Sequence, residues 1–78
     1  MSSQAYVLIK GAAGSVPAIQ RSVSEMDGVK SCMAVTGQFD LVALVEGATH
    51  NDLGLLGLNR IQRLNGVLRT VTCNVIEI

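Results

Sequence analysis

Two tetrapeptides constrain this chain more than anything else in it: Met26-Asp27-Gly28-Val29 and Leu64-Asn65-Gly66-Val67. Each reads apolar, polar, glycine, valine. Each ends a stretch of helical periodicity and opens a stretch suited to a strand. Glycine there fits the left-handed residue that closes a helix, and valine fits a pleated strand. The chain is therefore strand–helix–strand, written twice. Two such units of about 35 to 40 residues predict a split βαβ arrangement. The expected fold is α+β: a ferredoxin-like βαββαβ sandwich, a four-stranded antiparallel sheet with two helices on one face.

The individual runs agree. Gln4–Lys10 is expected as the first strand, with Ala5, Val7 and Ile9 on one face and Tyr6 and Leu8 on the other. Ser15 is placed to cap the first helix, Pro17 falls in its first turn, and Val16, Ile19, Val23 and Met26 form its apolar stripe. The second strand, about Val29–Val35, carries Lys30, Ser31 and Cys32, a mixture that suits an edge. Phe39–Glu46 is the third strand, apolar on both faces. Thr49 with Asp52 makes the acidic form of a capping box for a second helix whose stripe is Leu53, Leu56, Ile61 and Leu64, widened by Leu55 and Leu58. Gly54 and Gly57 weaken that helix, which suggests close approach of another backbone. The last strand is expected over Val67–Ile78.

The two halves meet at Thr36-Gly37-Gln38-Phe39-Asp40. Gly37 and Gln38 between two strand-like runs predict a tight two-residue hairpin, with Gly37 supplying positive φ. Asp40 opens an apolar strand, and an unpaired buried carboxylate is costly. It is expected at the hairpin mouth, facing solvent or a partner.

Composition bounds the rest. The chain has 78 residues, 49% apolar and 15% charged, with zero formal net charge. A length of this order corresponds to one domain, here over 1–78, burying about 60 to 65% of its unfolded surface. The apolar content exceeds what so small a core needs. Two helices cover one sheet face, so the surplus predicts that the other face is covered by a second copy. Tyr6/Leu8 and Ala5/Val7/Ile9 are alternative sets for that face, and Tyr6 suits the rim of an interface. With six basic and six acidic residues and no basic patch, nucleic-acid binding by the chain alone is not expected. Cys32 and Cys73 read as small buried hydrophobes on strands. No leader-like or membrane-spanning run stands out, so a cytoplasmic protein is expected. His50 is expected exposed in a first helical turn, and its spacing to the cysteines matches no metal pattern. No cofactor is implied.

The Gly37-x-x-Asp40 element inside this βαββαβ order, with Gly-Val opening the second and fourth strands, resembles the effector domain of the Lrp/AsnC transcriptional regulator family, also called the RAM domain. Gly66-Val67-x-x-Thr70-x-Thr72 is similar to the family's last strand. The resemblance extends from about Ala5 to Ile78. It departs from the family regulators in lacking an N-terminal helix-turn-helix, which implies a stand-alone effector domain. It further implies dimers joined through their sheets, rings of such dimers (octamers or decamers), and an amino-acid effector held between dimers at the hairpin. By position in the motif, Gly37, Gln38 and Asp40 are the candidate ligand residues, with Thr36, Thr70 and Thr72 beside them. Turn N–H groups would hold the α-carboxylate and Asp40 the α-ammonium.

Three function classes follow. The first is a non-enzymatic sensing and oligomerisation module. The second is a small dimeric ferredoxin-like enzyme of monooxygenase or isomerase type, for which one His, one Tyr and no Trp supply little chemistry. The third is a scaffold forming mixed assemblies with full-length, DNA-binding members of the family.

Overall fold

The computed structural model describes residues 2–78, without the side chain of Leu58; the expected place of Leu58 in the second helix's stripe lies outside the described residues. Four antiparallel strands form one sheet in the order β2-β3-β1-β4: β1 (Ser3–Gly11), β2 (Val29–Ala34), β3 (Leu41–Gly47) and β4 (Val67–Asn74). Helix α1 (Val16–Ser24) joins β1 to β2, and α2 (His50–Leu56) leads from β3 towards β4. This is the expected ferredoxin-like α+β fold.

The core lies between the helices and one sheet face. Ala5, Val7 and Ile9 of β1 and Leu41, Ala43 and Val45 of β3 are fully buried there against Ile19, Val23, Leu53 and Ile61. Each fully buried aliphatic side chain of this kind contributes about 1.5–3 kcal/mol relative to exposure. Cys32 of β2 joins the cluster, whereas Cys73 is exposed, contrary to its expected burial. Cys73 pairs with Tyr6 and shares the helix-free face, where no helix covers it.

The two repeated tetrapeptides form the same turn. The N–H of Val29 donates to Met26 and that of Val67 to Leu64, both at 3.2 Å. Gly28 and Gly66 have φ of 89° and 91°. Gly66 also packs directly on Ser15, where a Cβ would stand 2.5 Å from the serine Cβ.

Four local expectations are corrected. Ser15 occupies the N-cap position of α1, but its side chain caps nothing; its backbone is in the helical region, which turns the hydroxyl away from the first-turn N–H groups. The second helix is not α-helical throughout: residues Gly57–Ile61 form a π-helical turn, closed by Gln62 N–H donating to the Gly57 carbonyl at 2.9 Å. Ile61, eight residues after Leu53, is fully buried with it across this turn. Thr49 does cap α2, its hydroxyl accepting the Asp52 N–H at 3.1 Å. β4 ends at Asn74 rather than Ile78, because its partner β1 runs out: Asn74 pairs with Ala5 and one further bond joins Val75 N–H to Gln4.

The fourth correction concerns the hairpin. β2 ends at Ala34 and β3 begins at Leu41, so the link is six residues, 35–40, rather than a two-residue turn. Val35 N–H donates to the Asp40 carbonyl at 2.9 Å and closes its base. Gly37 lies at the tip with φ of 116°, the positive value the sequence requires.

Candidate functional site

Asp40 is positioned by contacts with two strands. Its N–H donates to the Ile9 carbonyl at 2.9 Å. Its carboxylate Oδ2 accepts the Gly11 N–H, also at 2.9 Å, and lies 3.8 Å from Lys10 Nζ. The register of β1 on β4 shifts between Lys10 and Gly11. The Asp40 side chain takes the Gly11 N–H at this irregularity, on the β3 side. Asp40 is thus half-buried and structurally engaged through one oxygen, not simply open to solvent. The Lys10 contact is exposed and long, so it contributes little to stability on its own.

Around it the turn is open. Among the described residues, the N–H groups of Gly37 and Gln38 donate to no acceptor. Thr36, Gly37 and Gln38 are exposed. A groove of about 540 Å³ runs along Ala34, Val35 and Thr36. The guanidinium of Arg69, on β4, stands over the Phe39 ring at 5.5 Å from its centroid. Nothing in the sequence pattern singled out Arg69 or Lys10; both require the register of β1 with β4.

The structure brings Thr36, Gly37, Gln38 and Asp40 together but divides the threonines of β4. Thr70 pairs with Ile9, next to the level of Asp40 but on the helix-facing side of the sheet. Thr72 pairs with Val7, further from the turn, and its Oγ1 would lie 3.1 Å from a Cβ at Gly57. The neighbour of Gly57 is thus a side chain and not the backbone that its place in the helix suggested. Gly54 has none.

The helix-free face carries Tyr6 and Leu8 of β1, Val42 and Leu44 of β3, Met33 of β2, and Val71 and Cys73 of β4. Tyr6 and Met33 are 45% and 65% exposed, so this face is the uncovered one and Ala5/Val7/Ile9 face the helices. Polar rows bound it: Lys10 and Asp40 at one end, Glu46 with Lys30 at 3.4 Å and Gln4 at 3.4 Å at the other. An apolar centre with a charged rim is the composition of a protein interface.

A second groove, about 350 Å³, lies between Gly28, Glu46 and the leucines of α2. It sits at the far end of β3 from Asp40. Asp27, Glu46, Asp52 and Arg60 add charged groups to its lining, which includes neither Tyr6 nor His50. Among the described residues no group of His, Cys, Asp and Glu could hold a metal ion, and no helix is long and apolar enough to cross a membrane.

Residues 4–78 match the family model described as the Lrp/AsnC ligand binding domain. No curated protein matches the sequence. Among solved structures, a protein from Thermus thermophilus is 33% identical with a TM-score of 0.91, over 97% of this chain and 95% of that one. A feast or famine regulatory protein from M. tuberculosis, complexed with L-methionine, is 28% identical with a TM-score of 0.76, over 97% of this chain and 51% of that one. E. coli AsnC shares the fold at 19% identity and a TM-score of 0.87, over 97% of this chain and 52% of that one. The chain thus spans nearly all of the first and about half of the other two.

Proposed function

The chain belongs to the Lrp/AsnC ligand binding domain family, and on that premise we propose that it is a non-enzymatic module that senses an amino acid and couples binding to assembly. The observation that carries this reading is the turn at 35–40. Gly37 and Gln38 offer N–H donors with no internal acceptor, beside a carboxylate with one oxygen engaged and the other open. That pairing suits a zwitterion: donors for its α-carboxylate, an acceptor for its α-ammonium. The M. tuberculosis relative, complexed with L-methionine, supports this ligand class. Thr36, next to Gly37, lines the groove along Ala34 and Val35. Thr70 and Thr72 face the other side of the sheet, so contact with the same ligand would require a second subunit.

The turn is too shallow to enclose a ligand alone. In this reading two chains cover each other's helix-free faces, and dimers then meet around the turns to form a ring. A ligand held by two dimers favours the state in which they touch. The protein acts in the cytoplasm and reaches transcription through mixed assemblies with full-length regulators rather than by binding DNA itself, consistent with its zero formal charge.

Native mass spectrometry with and without a panel of amino acids tests this. Multiples of a dimer, with an added ligand mass and a shifted distribution, are expected. A stable 8.2 kDa monomer that takes up no amino acid would overturn it.

A further inference from the structure

At one end of the helix-free face three charged side chains come together, two from strands and one from the 35–40 turn. Lys10 of β1 and Arg69 of β4 are direct partners in the ladder. Asp40, next in sequence to the last ladder pair Leu41–Ile9, brings its carboxylate to 3.8 Å from Lys10 Nζ. Like charges directly opposite each other in an antiparallel pair are unfavourable. Asp40 offsets one of them. Among the described residues Arg69 has no carboxylate within ion-pairing distance. Its guanidinium rests instead on Phe39, a residue of the 35–40 turn. Among the described residues no guanidinium N–H of Arg69 donates to an acceptor, which leaves a fork of donors that matches a carboxylate.

We infer that Arg69, seated on Phe39, anchors the α-carboxylate of the effector at this turn. This rests on the amino-acid reading above and deepens it. Gly37 and Gln38 N–H groups then supplement a charged donor rather than supply the whole carboxylate site. Asp40 Oδ1 is left for the α-ammonium, because both internal contacts of that carboxylate use Oδ2. The cluster has one carboxylate against two cations, so the empty site is short of negative charge. The carboxylate of the ligand is therefore the dominant recognition element and its ammonium the secondary one. The class of ligand is an α-amino carboxylate, with simple carboxylates as weaker ligands and amines excluded.

The test uses calorimetry on the whole chain. The twenty L-amino acids are titrated, and the tightest binder is compared with its own amide, in which the carboxylate is replaced by a neutral group. The parent is expected to prefer the acid by at least about 10-fold. Arg69→Gln should weaken the acid by about 10- to 100-fold while barely moving the amide, so that the preference collapses. Arg69→Lys should fall between, keeping the charge but losing the fork. A parent-like acid-to-amide ratio in Arg69→Gln overturns the inference. So does a change in assembly mass with that ratio unmoved, which assigns Arg69 to a subunit contact. A parent that binds none of the twenty removes the amino-acid reading itself, an outcome distinct from both.

Discussion

The carboxylate of Asp40 accepts the backbone N–H of Gly11 at 2.9 Å, across 29 positions of sequence. The residue expected to face a ligand also ties the start of β3 to the end of β1. Its two roles can be separated. Asp40→Ala should remove amino-acid binding and, by leaving the Gly11 N–H without its acceptor, cost about 1–3 kcal/mol of stability. Asp40→Asn keeps a carbonyl oxygen for that N–H but loses the charge. It should hold most of the stability and lose most of the binding. Urea denaturation beside calorimetry checks this; an Asn variant as destabilised as the Ala variant would count against the hydrogen bond.

The glycines at 37 and 66 should respond differently to alanine. Gly37 has φ of 116° with open space around it, so Gly37→Ala meets backbone strain alone, of order 1–3 kcal/mol. Gly66 has φ of 91° and would drive its Cβ against Ser15. Gly66→Ala should be the more destabilising of the two in thermal or chemical unfolding. The reverse order would mean that the contact with Ser15 yields without cost.

A charge on the helix-free face should break the proposed dimer without unfolding the chain. Leu44 lies in the middle of that face, opposite Tyr6 and away from the core. Leu44→Glu is expected to give an 8.2 kDa species by light scattering while retaining its circular dichroism. If the variant keeps the mass of the parent, the subunits join elsewhere.

The two thiols should differ towards an alkylating reagent. Burial pushes the Cys32 thiol up, so it ionises reluctantly and is shielded as well. Cys73 lies exposed beside Tyr6 on the face that a partner would cover. Cys73 should react slowly in the parent assembly and quickly in Leu44→Glu, with Cys32 inert in both. The raised Cys32 pKa also has a pH consequence. The folded chain holds that proton more tightly than the unfolded one, so the stabilisation is complete below about pH 8.5 and declines as pH rises above it. Mass spectrometry of labelled peptides reads the reactivity, and equal labelling of Cys73 in both forms would contradict a covered face.

Much of the fold was legible in the sequence because its signals are local. The paired Gly-Val turns, the alternating strand residues and the Ile19/Val23 stripe each depend on a few neighbouring residues and on backbone sterics. They determine the elements and their order, and βαββαβ order leaves few right-handed ways to close a sheet. Gly37 was legible for the same reason, since a positive φ at a tip demands it. The π turn was not legible, because Leu53, Leu56 and Ile61 fit the spacing of an ordinary helix equally well. What the tertiary structure decided is everything that depends on register. Whether Tyr6 or Val7 faces the helices is symmetrical in an apolar strand until a helix packs on one side. That Asp40 meets Gly11 and Lys10, that Lys10 meets Arg69, and that Thr72 points away from all of them depend on three strands aligned to the residue. A slip of one position would send each side chain to the opposite face. The chemistry of the turn is assembled across the sheet, from residues that no local pattern connects.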